Sequence, residues 1–389
     1  MSKKTKITAL VVLNFIIYIS LGLPDSILGS AWPSMRTNYN MGAEQVSYLT
    51  TAMLLFSFLS SMAYSQIARK WQDAQIIFIS MWLVIIGLAL MIVTDNPYVL
   101  FLSTPFMGLG QGAIDVTVNH FAAKHLPSSL MSLLHGFYGV GVSLSAGILT
   151  VFLTIFASWR MAIGFIGMIE LAILALIWFN RGHFSDDKTV PNTTSDEENQ
   201  AEEKPSEPFY LRYLLIPTFY FFYAIEPVLG IFIASYYVEV FHVSDSLAAL
   251  YTTLFWLGLT IGRFLTGALT RFFRDKALIF GHLVLLIVLS GTLLLPPKSY
   301  TLLLIVAVGL SLAPLYPLMM MLPNRRHSNG IAKRIISYNV AATLLGILVF
   351  PLILGFLFKQ FGFDLFPIVI LFMAVILCCL AGIIYQKKA

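Results

Sequence analysis

A chain of 389 residues that is 58% hydrophobic and 11% charged is too poor in charge for a water-soluble globule, whose charged fraction lies near a quarter. The formal net charge of +5 invites a nucleic-acid reading, but the placement of the basic residues argues against it. What remains is an all-α integral membrane protein.

Apolar runs of about 20 residues, each enough to cross about 30 Å of hydrocarbon, recur along the whole chain, and twelve are predicted. Span 1 covers 7–30 and is interrupted by Gly22, Pro24 and Gly29 around Asp25. Three lysines precede it, as in a signal peptide, but the run continues without a small-residue cleavage site and is read as a retained span. Spans 2 and 3, at 45–68 and 74–94, are joined by a short basic turn at Arg69 and Lys70. Span 4 follows at 97–123, span 5 at 132–156 and span 6 at 160–179.

Between 180 and 209 the composition turns to Asp, Glu, Ser, Thr, Asn and Pro, and eight of the chain's 19 acidic residues fall there. With almost nothing apolar to bury, this stretch is expected to be a disordered cytoplasmic linker. Spans 7 to 12 follow at 210–241, 248–269, 277–295, 302–322, 331–358 and 365–385. The domains expected are therefore 1–179, a six-helix bundle, and 210–389, a second one.

With the N-terminus placed inside, nineteen of the 24 Lys and Arg residues fall on the inner side. Arg36, Arg160, Lys298 and Lys359 lie outside and Arg263 within a span. That bias puts both termini in the cytoplasm. The two cysteines, Cys378 and Cys379, are adjacent, too close for an ordinary disulfide.

A carboxylate in lipid costs several kcal/mol, so it is expected to face a bundle interior or a wet cavity. Gln111, Asp115 and Asn119 are spaced i, i+4, i+8 and form one polar stripe on span 4. Gly108, Gly110 and Gly112 at its start would let a neighbouring helix come close. The two halves echo each other at one place: Asp25 follows Pro24 in span 1, and Glu226 precedes Pro227 in span 7. Proline-interrupted spans at matching positions point to a transporter's central site, because the break leaves carbonyls free to face a cavity. His135, near the end of span 5, is assigned a helix-end contact.

Several motifs occur in order along the chain. Gly108-Leu109-Gly110 precedes Asp115, Asn119 and Phe121 in span 4, and Leu133-Leu134-His135-Gly136-Phe137-Tyr138-Gly139 opens span 5. Tyr223-Ala224-Ile225-Glu226 with Gly230 and Tyr236 lies in span 7, and Phe255-Trp256-Leu257-Gly258 with Gly262-Arg263 in span 8. Ala313-Pro314-Leu315-Tyr316-Pro317 lies in span 10. Together with Pro24-Asp25-Ser26, they resemble the major facilitator superfamily and, within it, the fucose-galactose-glucose:proton symporter family. The loop between spans 2 and 3 departs from the superfamily pattern, since Arg69 and Lys70 lack flanking glycines.

That resemblance implies two six-helix bundles rocking around a central site, and import of a neutral sugar, a hexose, by symport with an ion. The ion is a proton or, as the sequence leaves open, sodium. Asp115, Asp25 and Glu226 are the expected proton-coupling groups. Gln111, Asn119, Tyr223 and Trp256 are the expected sugar contacts. Arg263, Gly108, Gly112, Pro24 and Pro227 are expected to be structural or gating residues, with Arg263 tethering helix ends near the cytoplasmic face, and Glu170, in a span that the family places at the bundle's periphery, is expected to be structural or protonated. A proton-coupled exporter of drugs or metabolites is the alternative, and a membrane sensor or scaffold using the acidic linker is a third. No nucleophile-base set, phosphate-cradling Gly-Lys-Ser/Thr loop or dinucleotide fingerprint occurs, so no enzyme activity is expected. No cofactor is expected either, and His120 and His125 lack metal-ligand spacing. The partners expected are a small solute, its coupling ion and the bilayer, around a monomer.

Overall fold

A computed structural model describes residues 3–125, 128–180, 209–327 and 329–386. The expected acidic linker thus lies almost entirely outside the described residues, as do the side chains of His125 and His135. Twelve stretches are long and apolar enough to cross a membrane, and no strand occurs among the described residues. The chain is a multi-pass, all-α membrane protein. Its outward faces carry large apolar side chains such as Leu303, Phe356 and Phe372, at 76%, 58% and 63% exposure, a surface suited to acyl chains rather than water.

Span 1 is α1 (Lys3–Gly22) and α2 (Ile27–Tyr39). Spans 2 to 6 are α3 (Val46–Ile67), α4 (Asp73–Ile92), α5 (Pro97–His125), α6 (Ser128–Phe156) and α7 (Trp159–Phe179). Span 7 is a π-helical turn, Leu211–Leu215, then α8 (Ile216–Phe222) and α9 (Ile225–Phe241). Spans 8 and 9 are α10 (Asp245–Leu269) and α11 (Asp275–Thr292). Span 10 is α12 (Tyr300–Leu312) and α13 (Leu315–Arg326), and spans 11 and 12 are α14 (Asn329–Phe361) and α15 (Phe366–Gln386). Two compact units are distinguished, Met1–Asn192 with Val243–Thr253, and Thr193–His242 with Leu254–Ala389.

Most span ends fall within four residues of the sequence reading, and two features depart from it further. Span 1 runs nine residues past its expected end at 30, to Tyr39. The polar residues after Pro33 mislead there, because the same helix buries Trp32, Met35 and Tyr39. Trp32 donates to the Ala43 carbonyl at 2.9 Å and Tyr39 to that of Met91 at 2.6 Å, so both polar tips are satisfied. Span 10 is broken at Ala313 and Pro314, where one continuous helix is expected.

All three breaks are built alike. Proline has no N–H, so the carbonyl four residues before it loses its helical donor. In each case the residue just before the proline takes that carbonyl in a tighter turn. Leu23 donates to Ser20 at 3.2 Å, Glu226 to Tyr223 at 3.1 Å and Ala313 to Leu310 at 3.3 Å.

Between helices in lipid there is no hydrophobic drive, and close backbone approach at small residues takes its place. In the first unit α5 is clamped by α3 and α4. A Cβ added at Gly108 or Gly112 would strike the Met53 or Ser57 carbonyl of α3, and one at Gly110 would strike Ser80 of α4. Helix α6 lies on α1, with Gly141 against the Ile19 carbonyl. The second unit repeats these pairings. Gly309 of α12 meets the Phe255 carbonyl of α10, and Gly346 of α14 meets the Phe221 carbonyl of α8.

Candidate functional site

The span 1 break turns Asp25 toward α5 and α6. Gln111 Nε2 donates to Asp25 Oδ1 and the Tyr138 hydroxyl donates to Asp25 Oδ2. One turn further along α5, Asn119 Nδ2 donates to Asp115 Oδ1 at 2.8 Å and to the Asp115 carbonyl at 2.9 Å. Tyr18 of α1 donates its hydroxyl to Asn119 Oδ1 at 2.5 Å. The polar stripe of span 4 therefore divides: its Gln111 end serves Asp25 and its Asn119 end serves Asp115. The two carboxylates are near enough to repel each other, and neither has an ion-pair partner among the described residues.

Glu226 is held differently. Arg263 of α10 brings one guanidinium nitrogen within 2.9 Å of both Glu226 oxygens, and the Tyr223 hydroxyl donates to Glu226 Oε2 at 2.5 Å. The Glu226 and Arg263 side chains are 13% and 22% exposed. The ion pair joins α10 to α9, and the residue that Arg263 holds is Glu226. Tyr223 also reaches the Leu312 carbonyl at 3.2 Å, which ties the break of span 7 to that of span 10. Tyr220, one turn earlier, donates to the Tyr316 carbonyl at 3.0 Å.

Trp256 lies with its ring across Gly230, where any added side chain would strike it. It is 9% exposed, and its indole N–H has no hydrogen-bond partner among the described residues. A buried donor without an acceptor is costly, so this N–H is suited to an oxygen supplied by a ligand. Tyr18 and Tyr138 are site residues that sequence reasoning missed. A tyrosine in a span reads as an interface aromatic, and the available signal was the place of Tyr18 midway along span 1, away from either expected boundary. Among the described residues no group of His, Cys, Asp and Glu is placed to hold a metal ion.

The model of the Major Facilitator Superfamily matches residues 14–332 and again 218–388. Among curated proteins, the chain is 23% identical over 361 residues to Bypass of stop codon protein 6 of Saccharomyces cerevisiae, covering 82% of this chain and 72% of that protein. It is 21% identical over 319 residues to the glucose/mannose transporter GlcP of Bacillus subtilis, covering 78% and 77%. Among solved structures, a D-xylose-proton symporter superposes with a TM-score of 0.77 at 12% identity over 98% of both chains. A mutant form of the nucleoside transporter NupG gives 0.76 at 10% identity, over 96% of this chain and 98% of its own. The fold, the broken spans and the full-length match lead to one assignment: the chain is a non-enzymatic transporter belonging to the Major Facilitator Superfamily.

Proposed function

We propose that the protein imports a neutral sugar, a hexose, together with a proton, by alternating access in a plasma membrane with both termini cytoplasmic. The observation that supports this most is Asp25, a carboxylate set in a helix break and met, among the described residues, by the neutral donors Gln111 and Tyr138. A proton landing on Asp25 removes the charge that holds Gln111, and frees its amide for a sugar hydroxyl. Asp115 and Asn119 form a second such pair, with Tyr18 as the switchable donor. Occupancy by proton and by sugar then favour each other, which is what symport requires. The glucose/mannose transporter among the relatives agrees with a hexose.

In this reading Trp256 covers the apolar face of the sugar ring and gives its free N–H to a ring substituent, and Tyr223 is the second aromatic contact. Glu226 is assigned to the ion pair with Arg263 rather than to proton transfer, because a proton there would have to displace a guanidinium. Pro24 and Pro227 set the breaks, and Gly108 and Gly112 hold α5 rigid against α3.

The test is uptake of labelled glucose and mannose into proteoliposomes with an imposed pH gradient. Accumulation above equilibrium is expected for the wild type, and only gradient-independent exchange for Asp25→Asn. Accumulation that survives the substitution removes Asp25 from coupling. Absence of hexose uptake, with extrusion of other solutes, would turn the reading to an exporter.

A further inference from the structure

Glu170, on α7, stands apart from the groups used above. It is 1% exposed, and Ser20 Oγ donates to its Oε2 at 2.5 Å. Its other oxygen, Oε1, is buried without a hydrogen-bond partner among the described residues. The elements packed against α7 are α1, α2, α4 and α6. Their described titratable side chains include Tyr18, Arg36, Tyr39, Asp73 and Tyr138, and none of these acts on Glu170. An ionised Glu170 would leave a charged oxygen bare in apolar surroundings, whereas the neutral acid leaves only an unpaired dipole.

Ser20 is the residue whose carbonyl Pro24 releases and Leu23 takes up. Glu170 therefore grips the near side of the break whose far side carries Asp25. The second unit solves the same problem with its own residues: the carbonyl released by Pro227 belongs to Tyr223, whose hydroxyl is tied to Glu226 and to the Leu312 carbonyl. Span 12, the counterpart of span 6, carries no Asp, Glu, Lys or Arg in Phe366–Gln386. The architecture thus does not require a carboxyl at this place.

We infer that Glu170 is a positioning residue, held as a neutral acid, which latches Ser20 and through it sets where the Asp25 carboxylate stands. The inference rests on the transport reading only for its functional consequence, so the test has two arms. The first needs no substrate. Infrared spectra of the purified chain in lipid nanodiscs at neutral pH should show a protonated-carboxyl stretch that Glu170→Gln removes, and Ser20→Ala and Glu170→Leu should raise amide exchange around residues 21–27 alike. Absence of that band, or exchange unchanged in both variants, overturns the inference whatever the protein transports. In the second arm Glu170→Gln should keep the wild-type pH profile of hexose uptake. Ser20→Ala and Glu170→Leu should shift that profile in the same direction and lower uptake by about tenfold, as a displaced reacting group does. Their double variant should add nothing further. A Glu170→Gln that shifts like Glu170→Leu, or single effects that add, would instead make Glu170 a proton carrier or a mere packing residue. If no protein form moves hexose while the first arm succeeds, the functional proposal fails and the latch stands.

Discussion

The two halves share their skeleton and differ in their charges. In both, the fifth helix of the half lies on its first through a glycine, Gly141 on Ile19 and Gly346 on Phe221. In both, a tyrosine of the first span donates to the fourth, Tyr18 to Asn119 and Tyr220 to the Tyr316 carbonyl. Among the described residues, the first half then carries Asp25 and Asp115 without a cation, while the second binds Glu226 to Arg263. A scaffold that is repeated while its electrostatics are not separates two tasks, with the proposed proton coupling resting on the first half and the ion pair on the second.

Four substitutions probe that division, in order of expected size. Arg263→Ala strands a largely buried carboxylate and should lower stability by about 3 kcal/mol, the lower end for a broken buried pair, read as the loss of folded protein on heating in detergent. Combining Glu226→Gln with Arg263→Met should restore most of that stability, because no charge is then left unpaired. Failure of this recovery would mean that the pair does more than hold two helices together. Asp25→Asn should reduce gradient-driven accumulation by about 100-fold, the scale of a lost acid-base group, with little change in melting. Equal losses from Asp25→Asn and Glu226→Gln would erase the contrast between the halves.

The shared skeleton is tested by smaller effects. Gly141→Ala and Gly346→Ala each push a methyl group into a facing carbonyl and should cost about 1–3 kcal/mol apiece, while Gly267→Ala, which faces open space, should cost nothing measurable. Unequal costs at Gly141 and Gly346 would show the two packing seams to be less alike than their geometry. The smallest measurable effect is that of Tyr220→Phe, about 0.6 kcal/mol, the usual worth of a hydrogen bond between membrane helices.

Much of this architecture is legible in the sequence, because membrane thickness and backbone hydrogen bonding leave few choices. The apolar runs mark the twelve spans, and Pro24 and Pro227 mark two of the three breaks. The third, at Pro314, escapes because no ionisable residue stands beside it to draw attention. The close approaches at Gly108 and Gly112 follow from their four-residue spacing, which keeps both on one helix face. Partner choice is harder to read. Nothing local tells Gln111 to serve Asp25, 86 positions away, rather than Asp115 on its own helix. Nor does anything local pair Arg263 with Glu226, 37 residues earlier, since such matches are settled by which helices adjoin.

The bond from Tyr223 to the Leu312 carbonyl has a genetic corollary. Its acceptor is main chain, so no amino-acid exchange at position 312 can delete it. A scan of variants would register the loss at Tyr223, or at Pro314 if the helix resealed, whereas any loss at Leu312, whose side chain is fully buried, would report its packing and not this bond. The join between two bent segments would then look, from mutational data alone, as though only one of them took part.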